Sequence, residues 1–268
     1  MTSLARMLSA VGLIRVSRGR GFCPACRVFQ TGDDPQEIAA PAVIALACIA
    51  VAALAWAWTI EQSRSMGGMT LGSGSIGPFA ASWVVMMAAM MLPSATPLVF
   101  EFARDAEGRR GWQAATALLG VTYLGVWLAF GVVCYALYNA VGMPWPDQRL
   151  IGGAALVIAG LYALTPLKRA SEAWCRELCA LHGPLPFNLA RSAVVAGVRY
   201  GLSCLGCSGG LMLAMVLIGI SNLVWMIVLA AVLSIYKLAP APTLRWRLAL
   251  SVAVVALGVL YIAAPGWI

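Results

Sequence analysis

Apolar positions fall along the chain in runs of about twenty, parted by shorter stretches that hold nearly all of the charge. A helix of that length crosses the hydrocarbon core of a bilayer. The runs near 39–60, 78–100, 113–138, 150–167, 200–219, 221–238 and 247–264 therefore predict about seven transmembrane helices. Only Gly219 to Asn222 part the fifth and sixth runs. A tight hairpin is expected there, because one helix of about 40 residues is far longer than a bilayer needs. The fold class is all-α, a polytopic helical membrane protein. Residues 1–37 read as an N-terminal segment ahead of a helical membrane domain, 38–268.

Composition agrees with the pattern. Of 268 residues, 62% are apolar and 10% charged, against about 25% charged in a soluble domain. The net charge of +8 is explained by location. The N-terminal segment and alternate loops hold sixteen of the eighteen Lys and Arg residues, among them Arg104, Arg109, Arg110, Lys168, Arg191, Arg199, Lys237, Arg245 and Arg247; the other loops hold Arg64 and Arg149. Positive loops stay in the cytoplasm, so the N-terminus is expected inside and the C-terminus outside. No nucleic-acid partner is needed to explain the basic charge; the lipid bilayer is the expected partner. The apolar piece Met7 to Ile14 is short and runs into Arg15, Arg18 and Arg20, so it is not read as a cleaved signal peptide.

The second run carries Trp83 to Pro97, which contains no charge. At about 100° per residue, Trp83, Met86, Met87, Met90, Met91 and Ser94 share one side, with Ala88 and Ala89 opposite. Small residues let helices approach closely in lipid. The thioethers are either packing material or part of a soft-metal site. Pro93 and Pro97 are expected to kink or close this helix, since each lacks an N–H.

Cysteine supplies the other candidate ligands. In the fifth run Cys204, Cys207, Ser208, Met212 and Met215 share one helical face, and Gly206 and Gly210 form a Gly-x-x-x-Gly on another. The run is read as starting inside, which puts its cysteines in the cytoplasmic half, at a depth matching Met90 and Met91. Two thiols with thioethers favour Cu(I). Two further sets are candidates. Cys23 and Cys26 form a Cys-x-x-Cys that fits a zinc or copper knuckle, a redox pair or an incidental pair. Cys175 and Cys179 sit at i and i+4 in the long loop after the fourth run, with His182 nearby.

Four stretches carry a resemblance: Trp83…Ala89-Met90-Met91-Leu92-Pro93; Leu164-Thr165-Pro166-Leu167-Lys168; Tyr200…Cys204-Leu205-Gly206-Cys207 with Leu211-Met212; and Asn222-Leu223-Val224-Trp225-Met226. Together, over residues 78–240, they resemble the DUF2182 family of bacterial integral membrane proteins. The resemblance implies metal binding and a multi-pass location in the bacterial cytoplasmic membrane. The chain departs from the pattern at Ser208 and Gly209, where the family has a second Cys and a Trp. Tyr236 stands where an acidic residue often precedes the Lys. Cys175-Arg176-Glu177-Leu178-Cys179 replaces a Cys-Arg-Ser-Pro type stretch.

Three functions fit these residues. The first is a membrane protein that binds, moves or delivers a soft ion, with copper or zinc bound and a metallochaperone or membrane protein as partner. The second is a non-catalytic accessory subunit of a larger membrane complex. The third is a membrane thiol–disulfide oxidoreductase. No Ser-His-Asp set, Walker loop or nucleotide fingerprint is present, and one histidine cannot supply two haem ligands. The predicted spans are almost free of ionisable groups, which disfavours a proton-coupled pump.

Overall fold

The computed structural model describes residues 35–66, 75–140, 147–179, 188–218, 223–238 and 244–263. These form eight helices: α1 (Pro35–Met66), α2 (Ile76–Ala106), α3 (Trp112–Ala140), α4 (Gln148–Tyr162), α5 (Pro166–Cys179), α6 (Leu189–Ile218), α7 (Leu223–Leu238) and α8 (Leu244–Ala263). The described residues are thus all-helical, as the apolar runs predict. Large apolar side chains face outward along the bundle, including Leu46, Leu54, Val121, Val133, Leu137, Ile158, Val252 and Leu260. A surface this apolar matches lipid and not water.

Seven spans are expected from the runs; length and composition identify four or five of them in the structure. Among the described residues, α2, α3, α6 and α8 are long and apolar enough to cross a membrane, and α4 with α5 makes a fifth if counted as one bent span. α1 contributes a shorter apolar helical stretch over Leu46–Gln62, and α7 is described over 16 residues. The fourth run does not reach 167 as one helix. It breaks after Tyr162, and α5 sets off at 72° to α4. The loop expected to follow it is largely helical: α5 and the first third of α6 occupy it. The break expected between the fifth and sixth runs, Gly219 to Asn222, lies outside the described residues; α6 is described to Ile218 and α7 from Leu223.

Contacts fix the helix directions. Trp56 and Gln62 of α1 meet Ala89 and Ser82 of α2, so these two are antiparallel. Phe79 stacks near Tyr135 while Trp83 reaches Trp127, so α2 and α3 are antiparallel. Gly197 and Gly201 of α6 lie against Thr122 and Val126 of α3, which makes α3 and α6 parallel. Gly152 meets Ile218 and Tyr162 bonds Gly206, so α4 opposes α6. Gly153 meets Ile262 and Ser251 bonds Gly160, so α8 opposes α4. The end of α2 and the starts of α3, α6 and α8 therefore share one end of the bundle. Arg104, Arg109, Arg110, Arg191, Arg199, Arg245 and Arg247 belong to that end, and Arg149 to the other.

α2 is the central helix and is buried on both sides. Its Met face enters the main core, and Ala88 and Ala89 pack on Ala55 of α1. The prolines do not end it: the helix runs through Pro93 and Pro97 to Ala106. Pro93 has no N–H to give the Ala89 carbonyl, and the Trp56 indole donates to that carbonyl at 3.1 Å instead. The Tyr200 hydroxyl donates to Ser94 O at 2.8 Å, in the turn ahead of Pro97.

Candidate metal centre

The Met stripe of α2 and the Cys face of α6 meet in one core. Met86, Met90, Met91, Cys204, Cys207 and Met212 are all buried and belong to a single packed cluster, with Met87 and Met215. Their level follows from the helix directions. α2 and α6 are antiparallel, because each has a fixed sense relative to α3, and Tyr200 ties α6 to Ser94 of α2. One turn along α6 from Tyr200 is Cys204; one turn back along α2 from Ser94 is Met90. Met91 adjoins that level, and Cys207 is level with Met87.

The position along the helix differs from that of a span beginning at residue 200. A span beginning at residue 200 would place Cys204 and Cys207 near its cytoplasmic end. α6 begins eleven residues earlier, at Leu189, so Cys204 lies about 22 Å along a 30-residue helix. Met90 is equally central in α2. The thiols and thioethers lie halfway along their helices, and no proline break closes the Met helix beside them.

Polar atoms surround the sulfurs. Cys204 Sγ lies 3.3 Å from the Tyr123 hydroxyl of α3, and either atom can donate. Ser208 Oγ is 3.9 Å from the same sulfur and donates to the Cys204 carbonyl at 2.7 Å. The Cys207 thiol also donates to that carbonyl, at 3.3 Å. On the far side of α6, the Tyr162 hydroxyl donates to Gly206 O at 2.8 Å, and Ser171 Oγ fills the space where a Gly206 Cβ would stand.

Cys175 is half-buried on α5 and packs against this cluster from its edge. Cys179 closes α5, but its side chain lies outside the described residues, as do Cys23, Cys26 and His182. No group of three His, Cys, Asp or Glu side chains among the described residues is placed to hold an ion. What the bundle assembles is therefore two thiols and several thioethers in a dry interior. That donor set suits a soft, singly charged ion of low coordination number and not a hard cation needing many oxygens.

A model of the PpoB2 family, described as a copper chaperone, matches residues 80–261. The chain belongs to that family. The match takes in every thiol and thioether of the α2–α6 cluster as well as Cys175; α1, with Cys48 and Trp56, precedes it. No curated protein and no solved structure matches the chain. Membership of PpoB2 agrees with copper handling and does not by itself assign ligands.

Sequence reasoning missed Tyr123 and Trp127. Both are fully buried on α3. The available signal was their i, i+4 spacing within an apolar run: aromatic side chains with polar tips need a partner when buried. It also missed Lys168 and Glu172, buried on α5 because that segment reads as a loop.

Proposed function

We propose that this chain is a multi-pass protein of the bacterial cytoplasmic membrane that takes up Cu(I) in its helix bundle and passes it to a protein partner. Cys204 and Cys207 are the primary ligands, with Met90 or Met91 as a third and Met86 and Met212 beside them. The observation that supports this reading is the burial of the α2 Met stripe and the α6 Cys face in one core, with Tyr200 of α6 bonded to Ser94 of α2 one turn away. The copper chaperone match over residues 80–261 supports it, and so does the motif resemblance to the DUF2182 family. Two thiolates are costly in an apolar interior unless a cation neutralises them. Cu(I) supplies the charge and accepts thioether sulfur.

Cys175 fits a transfer role at the edge of the same cluster, with Cys179, His182, Cys23 and Cys26 as further cytoplasmic ligands for an incoming ion. The orientation proposed is N-terminus inside, C-terminus outside, with seven crossings. It is supported by the gathering of arginines at one end, and by the parallel sense of α6 and α8, which calls for a return through α7. A thiol–disulfide relay is less well supported, because Cys207 directs its thiol at the Cys204 carbonyl.

The test is copper stoichiometry in detergent-purified protein. Wild type is expected to hold one Cu(I), Cys204→Ser/Cys207→Ser none, and Met90→Leu a weaker one. Leucine keeps the volume and removes only sulfur. Wild type holding no more copper than the double variant would leave the cluster as core packing and return the accessory-subunit reading.

A further inference from the structure

The most unusual polar arrangement in the bundle is the one around Cys204, and it involves side chains that are not metal ligands. Tyr123 and Cys204 are both fully buried, and their oxygen and sulfur are 3.3 Å apart. Tyr123 is held from two sides. Its ring packs on that of Tyr200, centroids 5.4 Å apart, and Tyr200 is itself tied to α2. Trp127 stands one turn along the same face of α3. Its buried indole N–H makes no hydrogen bond among the described residues.

The donors and acceptors set the direction of this chain. An indole N–H only donates; a phenol donates once and accepts. While the thiol keeps its proton, either atom of the Tyr123–Cys204 pair can donate. A sulfur that has released its proton on binding a metal is purely an acceptor there, so the Tyr123 hydroxyl becomes the donor.

We infer that Tyr123 is a positioning residue for the copper ligand Cys204, donating a hydrogen bond to its metal-bound sulfur. This rests on the copper reading above. Hydrogen bonds to a ligand from residues behind it orient it and tune its basicity, and losing one typically costs about 10–100-fold in metal affinity.

The experiment titrates Cu(I) into full-length purified protein against a chromophoric Cu(I) chelator. It compares wild type, Tyr123→Phe and Tyr162→Phe. Tyr162→Phe removes another hydroxyl bonded to α6, on the side away from Tyr123. Tyr123→Phe is expected to keep the wild-type stoichiometry, weaken binding by about 10–100-fold and shift the ultraviolet thiolate-to-copper absorption. Tyr162→Phe is expected to keep both affinity and absorption while lowering thermal stability. Equal losses in the two variants would reduce Tyr123 to packing and overturn the inference. So would wild-type affinity and absorption in Tyr123→Phe. If Tyr123→Phe does not accumulate, Tyr123→Leu takes its place, and wild-type affinity and absorption there also overturn it. Wild type without copper overturns this inference and the copper reading together.

Discussion

A methyl group added at Gly197 would stand 2.8 Å from the carbonyl oxygen of Leu119, a backbone atom of α3 that cannot swing aside. At Gly210 the nearest atoms would be 3.7 Å away, an ordinary contact. Gly197→Ala is therefore expected to destabilise the bundle by about 1–3 kcal/mol, the usual cost of overpacking. Gly210→Ala should be neutral or stabilising by up to about 1 kcal/mol through helix propensity. Thermal unfolding in detergent reads both; equal effects would mean that α3 and α6 yield at Gly197. The sequence shows the same Gly-x-x-x-Gly spacing at 197–201 and 206–210, so spacing alone cannot say which pair faces a backbone. Arg191 and Arg199 make the first turns of α6 look like loop, which hid the pair in closer contact.

At the scale of the element, the helical angles were readable. The Met stripe and the Cys face each stand on one side of a long apolar run, and both are buried in the same core. α5 was not readable, because its charges suggest solvent. Pro166 opens it, where a missing N–H does no harm, and Lys168 and Glu172 one turn apart turn into the protein. Glu172 meets Arg247 of α8 at 2.8 Å. Removing one partner from a buried pair costs about 3–5 kcal/mol, since the other charge stays behind. Arg247→Met should thus lower thermal stability and expose α5 to protease. Glu172→Met/Arg247→Met, which removes both charges, should recover part of the loss. If the double variant is no more stable than Arg247→Met, the pair is not what holds α5 against α8.

For the molecule as a whole, the sixteen-to-two distribution of Lys and Arg has a counterpart in the helix directions, which bring the arginines of α2, the α2–α3 turn, α6 and α8 to one end. A reporter fused to the C-terminus is expected to be active only outside the cytoplasm. An impermeant thiol reagent should reach Cys175 only from the cytoplasmic side and leave the buried Cys204 and Cys207 unlabelled from both. Labelling of Cys175 from outside would invert the orientation. Seven runs were legible because hydropathy needs no tertiary knowledge. Whether a short or bent helix crosses depends on its neighbours, as the 72° turn between α4 and α5 shows. The bond from Trp56 to the Ala89 carbonyl bears on how such a chain is made. Alone in lipid, α2 would carry at Pro93 a bare carbonyl, an exposure that costs several kcal/mol in hydrocarbon. α1 emerges from the ribosome first and brings the indole that covers it. The pair is thus suited to leave the insertion machinery together, as one hairpin, before the copper ligands of α6 have been synthesised.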